Sequence, residues 1–133
     1  MDLIRYFQGA RNVVTLEPGH VLFSEGEPGT NMYVLMSGSA SVSLGNDVLE
    51  IAQPGALLGE MALVDSSARS ATVIAGTICR VISIDWTQFN VLVRESPDFA
   101  VHVMTVMANR LRHMNERLKE ALRELSVRGR RPS

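Results

Sequence analysis

The 133-residue sequence contains a single cysteine, Cys79, so it can form no internal disulfide. One thiol also cannot supply the several thiolates that a zinc or iron–sulfur site usually takes. No apolar run approaches the ~20 residues of a membrane helix, and the first residues lack the basic start and long apolar stretch of a signal peptide. We therefore expect a cytoplasmic protein in which Cys79 is a small core residue.

Residue patterns typical of metal binding or catalysis are also missing. The three histidines, His20, His102 and His113, have no metal-binding spacing. The sequence contains no HExxH, P-loop or GxGxxG motif and no Ser-His-Asp order. We expect neither a metal centre nor an enzyme.

Positive charge is scarce over most of the chain. Residues 1–93 carry four Arg against nine Asp or Glu, whereas residues 94–133 carry nine Lys or Arg against five acids. Arg69 is the only Lys or Arg between Arg11 and Arg80. A cation isolated in this way is either a surface residue or the partner of a specific anion, and we interpret Arg69 as a phosphate-binding residue.

The length and the 46% hydrophobic content predict one soluble domain over residues 1–133. Between about residues 11 and 84, short β-type runs are separated by glycine and proline turns, which predicts a barrel or sandwich. The runs read "VVTL", "VLF", "MYVLM", "SASVSL", "VLEIA", "ATVIA" and "TICRVISI".

Two helices are predicted after the last strand. Asp85 can cap a hinge helix over about residues 85–95, and Ser96-Pro97 is a second start signal. Nothing then breaks a long helix over about residues 97–126. The remaining "VRGRRPS", residues 127–133, is a basic tail that we expect to be disordered. A helix-turn-helix needs two more helices, so we expect no direct DNA binding by this chain.

The long helix carries an apolar stripe with alternating spacings of three and four, which amounts to roughly three heptads. The first turns can pack on the barrel through Phe99 and Val103, but beyond Leu111 the helix should outrun so small a barrel. We therefore predict a parallel coiled coil in a homodimer, although Leu122 widens the stripe and leaves the number of partners open. The stripe consists of Met104, Met107, Leu111, Met114, Leu118, Ala121 and Leu125.

The segment "GEMALVDSSARSATV", residues 59–73, combines residue types suited to a cyclic phosphodiester. Gly59 permits a close backbone approach, and the turn after it presents free N–H groups. Arg69 can bond two phosphate oxygens at once, and Ser70 can donate a hydroxyl hydrogen bond. Glu60 is an acceptor only, which suits a ribose 2′-hydroxyl; complementing a helix dipole is the alternative role for Glu60.

This segment resembles the phosphate-binding cassette of the cyclic-nucleotide-binding domain family, which includes catabolite activator proteins, protein kinase A regulatory subunits and cyclic-nucleotide-gated channels. Landmarks resembling those of the family lie on both sides of it, in "FSEGEPGTNMYVLMSGSASV" and in the two C-terminal helices. The cassette residues are Leu58, Gly59, Glu60, Met61, Ala62, Leu63, then Arg69, Ser70, Ala71 and Thr72.

The resemblance implies a mainly β fold with some α-helix. This is the family's β-roll, a jelly-roll-like double-stranded β-helix, with a short N-terminal helix, a cassette helix, and C-terminal hinge and long helices. It implies a sensor that binds a cyclic nucleotide without changing it and has no cofactor. Glu60 would bind the ribose and Arg69 and Ser70 the cyclic phosphate, with help from the amides near Met61 and Ala62. Gly59 and Ala71 complete the predicted ligand-binding set.

The resemblance aligns Arg110, Met114 and Asn115 of the long helix with the positions that face the base, and Leu49 could pack against the base or in the core. Ser70 stands where members selective for cyclic GMP often carry threonine, which favours cyclic AMP. Two other hypotheses remain open: a homodimerisation module that binds no nucleotide, and a phosphodiesterase, which would need metal ligands that the sequence lacks.

Overall fold

The computed structural model describes residues 1–129, which form two four-stranded antiparallel sheets and four helices. The first sheet has the order β1-β8-β3-β6 and the second β2-β7-β4-β5. The strands are β1 (Val13–Leu16), β2 (Val21–Phe23), β3 (Met32–Ser37), β4 (Ala40–Leu44), β5 (Asp47–Ala52), β6 (Leu57–Leu58), β7 (Thr72–Ala75) and β8 (Cys79–Ile84). The helices are α1 (Leu3–Tyr6), α2 (Glu60–Asp65), α3 (Trp86–Glu95) and α4 (Pro97–Gly129).

This arrangement confirms the predicted fold class, a β-roll with helices at both ends of the chain. The runs "SASVSL" and "VLEIA" form a hairpin of β4 and β5, with Ala40 opposite Ala52 and Leu44 opposite Asp47. Consecutive strands otherwise alternate between the sheets, so β7 pairs with β2 and β4 while β8 pairs with β1 and β3. This alternation brings residues far apart in the sequence together inside the roll.

The core consists of two apolar clusters. One lies inside the roll between the sheets and includes Phe23, Leu35, Val73 and Cys79. The other lies between the first sheet and the helices and includes Phe99 of α4. Full burial of a Phe, Leu or Val side chain contributes on the order of 2 kcal/mol to folding. As expected from its sequence context, Cys79 is a buried free thiol.

Helix α3 begins at the predicted Asp85 cap, which the structure shows to be part of a capping box with Gln88. The Asp85 carboxylate accepts from the Gln88 backbone N–H at 2.8 Å, and the Asp85 N–H donates to the Gln88 side chain at 2.9 Å. Helix α4 starts at Pro97 and continues to Gly129, three residues beyond the predicted end of the long helix. Residues 130–133 of the predicted basic tail lie outside the described residues.

The two ends of α4 lie in different environments. Phe99 and Val103 are buried against the first sheet, so the first turns pack on the roll as expected. From residue 111 to residue 129 every side chain is exposed. A search of the described helices finds none that is long and apolar enough to cross a membrane.

A candidate anion-binding site at the start of helix α2

The turn into α2 depends on Gly59. Its φ of 75° lies in the left-handed region, which favours glycine. A Cβ at this position would collide with the Arg69 guanidinium and would lie 3.2 Å from the Phe23 ring. The short strand β6 leads into this turn because Leu58 pairs with Tyr33 of β3. Gly59 therefore lets the chain turn directly against Arg69.

The backbone of Arg69 is held by the turn between β2 and β3. The Arg69 N–H donates to the Glu27 carbonyl at 2.8 Å, and the Gly26 N–H donates to the Arg69 carbonyl at 2.8 Å. Pro28 and Ala68 form an isolated β-bridge beside this pair. This turn belongs to the landmark "FSEGEPGTNMYVLMSGSASV", residues 23–42. The landmark therefore fixes the position of the cassette arginine.

The Arg69 side chain is buried, with only 6% of the residue exposed. Its Nη1 donates to the Asn31 carbonyl at 2.7 Å and to the Gly59 carbonyl at 3.2 Å. Gly29 lies against the same guanidinium, and a Cβ there would collide with Nε, Cζ and Nη2. The glycine at this position therefore keeps open the space beside Nε and Nη2.

The charge of Arg69 has no carboxylate partner within 4.0 Å among residues 1–129. Nε and Nη2 of this side chain also have no hydrogen-bond acceptor in the same part of the chain. Burial lowers the pKa of the guanidinium, while the nearby Tyr33 and Glu27 partly oppose that shift. A buried cation with two unused donors favours binding of an anion that supplies two oxygens.

Two aromatic rings lie beneath Arg69. Its Cζ is 4.3 Å from the centroid of the Phe23 ring and 5.8 Å from that of Tyr33. The two rings stack on each other at a centroid distance of 6.1 Å and an interplanar angle of 28°. Sequence reasoning missed both, because their relation to Arg69 depends on the pairing of distant strands.

Glu60, the first residue of α2, is the second buried charged group and is 2% exposed. Its Oε1 forms an ion pair with Nη1 of Arg110, which reaches the site from α4. Arg110 also donates through Nη2 to the Leu57 carbonyl, and its Nε lies 3.4 Å from a carboxylate oxygen of Glu50. The structure thus brings Arg110 to the predicted ribose ligand, and Glu50 is a contact that the sequence did not reveal.

The other cassette residues differ in exposure. Ala62 and Ala71 are buried, whereas Met61 and Ser70 are exposed. Gly59 is the N-cap residue of α2 and provides no side-chain cap for the first-turn N–H groups. Ser70 directly follows Arg69 in the sequence and is exposed to solvent.

The remaining predicted residues lie where α4 crosses β5. Leu49 is half-buried, and its carbonyl accepts from Nη2 of Arg117 at 2.9 Å. Met114 and Asn115 are exposed, and no hydrogen bond or ion pair in the described part of the chain joins either to the cassette. Of the four residues predicted to face a base, Arg110 alone forms a hydrogen bond or ion pair with a predicted ligand residue within residues 1–129.

Within residues 1–129, no group of three or more His, Cys, Asp or Glu side chains could hold a metal ion. His20 lies in the loop before β2, and His102 and His113 lie on different turns of α4. Cys79 contacts the carbonyls of Ser39 and Thr77. The cluster around Arg69 and Glu60 is therefore the site best supported by the described residues.

Comparison with known proteins gives a consistent result. The family model described as cyclic nucleotide-binding domain matches residues 13–96. The chain is 28% identical over 109 residues to a CRP-like cAMP-activated global transcriptional regulator of Mycobacterium tuberculosis, covering 78% of this chain and 49% of the relative. It is 42% identical over 86 residues to the cyclic nucleotide-gated potassium channel mll3241 of Mesorhizobium japonicum, covering 65% of this chain and 24% of the channel.

Solved structures show the same similarity. The catabolite activator protein of Thermus thermophilus matches with a TM-score of 0.75 and 25% identity, covering 86% of this chain and 62% of that one. A structure titled "Sp-2Cl-cAMPS bound to PKAR CBD2" matches with a TM-score of 0.67 and 28% identity, covering 78% of this chain and 69% of that one. The chain spans about half or less of the length of these two curated relatives.

Proposed function

The chain belongs to the cyclic nucleotide-binding domain family, and from this membership we propose that it is a non-catalytic sensor that binds cyclic AMP in preference to cyclic GMP. The observation that carries this proposal is the buried guanidinium of Arg69, which has no carboxylate partner among the described residues. A cyclic phosphate supplies one negative charge and two exocyclic oxygens. Nε and Nη2 of Arg69 can donate to both oxygens, and the Ser70 hydroxyl can add a third bond.

Glu60 binds the ribose in this proposal. Its Oε1 is paired with Arg110, which leaves Oε2 to accept a hydrogen bond from the 2′-hydroxyl. A carboxylate facing the phosphate would repel it, so Glu60 is suited to the sugar and Arg69 to the phosphate. Gly59 allows the protein backbone of the turn to approach the nucleotide closely, and the amides near Met61 and Ala62 help to hold the phosphate.

Signal output depends on α4. Arg110 connects this helix to Glu60, so a ligand that bonds Glu60 also changes the surroundings of Arg110. Ligand binding then shifts α4 over the base, where Leu49, Met114 and Asn115 are its nearest candidate contacts. The shift regulates a partner only if the ligand binds the two helix arrangements with different affinities.

Preference for cyclic AMP follows from Ser70. A threonine at this position is often found in members selective for cyclic GMP, so Ser70→Thr should raise the affinity for cyclic GMP relative to cyclic AMP. Thr72→Ser, which removes a methyl group at the start of β7 but keeps the hydroxyl, is the matched control. If the ratio of the cyclic GMP and cyclic AMP affinities is unchanged in Ser70→Thr, the preference for one base would be assigned to residues of α4 instead.

The exposed end of α4 favours a homodimer. Its apolar side chains are open to solvent in the single chain and share one stripe, which a second copy of the helix would cover. They are Leu111, Met114, Leu118, Leu122 and Leu125. The same observation favours the second candidate function, an assembly module that dimerises without binding a nucleotide.

Isothermal titration calorimetry distinguishes the two functions. The protein is unfolded and refolded to remove nucleotide carried from expression, then titrated with cyclic AMP and separately with cyclic GMP. Micromolar or tighter binding supports the sensor, and the ratio of the two affinities gives its base preference. If the refolded protein binds neither nucleotide, the assembly module would be the remaining candidate function.

We further infer that the protein acts in the cytoplasm and leaves its ligand intact. The single cysteine fits a reducing compartment, and the described residues contain no metal-binding cluster for phosphodiester hydrolysis. Prolonged incubation with cyclic AMP should return it unchanged by chromatography. Release of AMP in proportion to protein concentration would contradict this inference.

A further inference from the structure

We infer that Phe23 is a positioning residue for the anion site, holding the Arg69 guanidinium through the face of its ring. This inference rests on the proposed function, because it assigns to Phe23 the orientation of the arginine that binds the phosphate. Phe23 lies on β2, outside the cassette, and is the first residue of the landmark "FSEGEPGTNMYVLMSGSASV".

The contact is close and buried. The ring centroid of Phe23 is 4.3 Å from Cζ of Arg69, well inside the ~6 Å range of a cation–π interaction. Phe23 is 7% exposed and Arg69 is 6% exposed, so little water screens the attraction between them. The two carbonyls that accept from Nη1 fix one corner of the guanidinium, and the ring supports the group beside that corner.

An aromatic ring suits this position better than a carboxylate. A carboxylate would neutralise the guanidinium and compete with an anionic ligand for the same donors. The ring stabilises the cation with its negative face but leaves the full positive charge and the Nε and Nη2 donors available. This explains how Arg69 is stable in a buried position that contains no acid within 4.0 Å among the described residues.

The ring is itself held from two directions. Phe23 pairs with Val73 across the β2–β7 ladder, and Tyr33 of the opposite sheet stacks on its ring at 6.1 Å. These contacts come from both sheets of the roll, so the orientation of the ring is set by the packing of the sheets. Arg69 thereby acquires a fixed orientation before any ligand arrives, which lowers the entropic cost of binding.

Binding affinities of three variants test the inference. Phe23→Leu keeps an apolar side chain but removes the ring, Phe23→Tyr keeps the ring, and Val73→Ala loosens the same ladder without touching the guanidinium. Phe23→Leu should weaken binding of cyclic AMP on the order of tenfold. Cyclic GMP should lose the same factor, because both nucleotides share the phosphate. Phe23→Tyr should bind within about twofold of the wild type, and Val73→Ala should lower the unfolding temperature without changing the affinity.

A Phe23→Leu protein with wild-type affinity would overturn the inference, and so would an equal loss of affinity in Val73→Ala. A loss of affinity confined to one nucleotide would also overturn it, since such a loss would indicate a contact between Phe23 and the base.

If the wild-type chain bound neither nucleotide, the proposed function would fail. The Arg69 Nε–H resonance of the free protein would then test whether Phe23 positions Arg69. Its ring-current shift should fall in Phe23→Leu, leaving only the contribution of the more distant Tyr33 ring, and should persist in Phe23→Tyr, whereas an unchanged shift in Phe23→Leu would refute the positioning role.

Discussion

Arg110 of α4 and Glu60 of α2 form an ion pair across 50 positions of the sequence. Glu60 is the more buried partner, and within the described residues Arg110 is the only cation within 4.0 Å of it. The pair therefore joins the long helix to the predicted ribose ligand. It also means that the position of α4 and the charge balance of the cassette cannot change independently.

Arg110→Met should destabilise the fold by about 2 kcal/mol, because it leaves the buried Glu60 carboxylate without its cation. The double variant Arg110→Met, Glu60→Gln should recover part of that loss, since the buried charge is gone. Urea unfolding curves of the variants measure both effects. Arg112→Met, an exposed position on roughly the opposite face of α4, should change little. A loss in Arg110→Met no larger than in this control would contradict the prediction.

Arg69→Ala should keep the fold but weaken cyclic nucleotide binding by about 3 kcal/mol, roughly a hundredfold, because a desolvated phosphate loses its charge-assisted bonds. Calorimetry gives the affinity and circular dichroism the fold. Arg80→Ala removes an exposed arginine of β8 and serves as the matched control. Equal affinity of Arg69→Ala and the wild type would remove Arg69 from the ligand set.

Replacing Leu111 and Leu118 by glutamate should produce monomers if α4 pairs with a second copy, because two buried charges would oppose each other across the interface. Light scattering after size-exclusion chromatography measures the mass in solution. The control replaces Asn109 and His113, on other faces of the helix, by glutamate. A dimer that survives the leucine replacements would place the interface elsewhere.

The stability of the protein should fall as the pH drops below about 6.5, the ordinary pKa of histidine, and His102 is one cause. Burial and the positive N-terminal amine lower the pKa of His102. The unfolded chain therefore takes up a proton at this residue before the folded chain does, which favours unfolding as the pH approaches the lowered pKa.

Unfolding temperatures between pH 7.5 and pH 5 test this assignment. His102→Gln should flatten the profile over the upper part of that range, whereas His113→Gln, a change at an exposed position of the same helix, should not. Identical profiles for His102→Gln and the wild type would show that other groups set the pH dependence.

The β-rich architecture and the position of the cassette segment could be read from the sequence because their signals are local, whereas the β-roll itself was implied by the resemblance to the family. Glycine and proline turns delimit the strands, and Gly59, Glu60 and Arg69 lie within eleven consecutive residues. The capping box at Asp85 is equally local. Such features need no knowledge of which strands pair.

The surroundings of Arg69 and Glu60 could not be predicted in the same way. Phe23 reaches Arg69 because β2 pairs with β7, and Glu50 reaches Arg110 because α4 crosses β5. Both contacts depend on the register of elements that are distant in the chain. Arg110 was identified by its place on the long helix, but its bonds to Glu60 and Leu57 became visible only in the folded chain.

The 33 residues of α4 extend to about 50 Å, and the exposed portion from residue 111 accounts for about 28 Å of that length. In the proposed sensor this portion would act as a lever whose pivot lies near Arg110. A tilt of about 10° at the pivot would carry the tip roughly 5 Å, which is about one helical turn. A rearrangement of a few atoms around Glu60 would then become a displacement large enough to change the register of a contact at the far end.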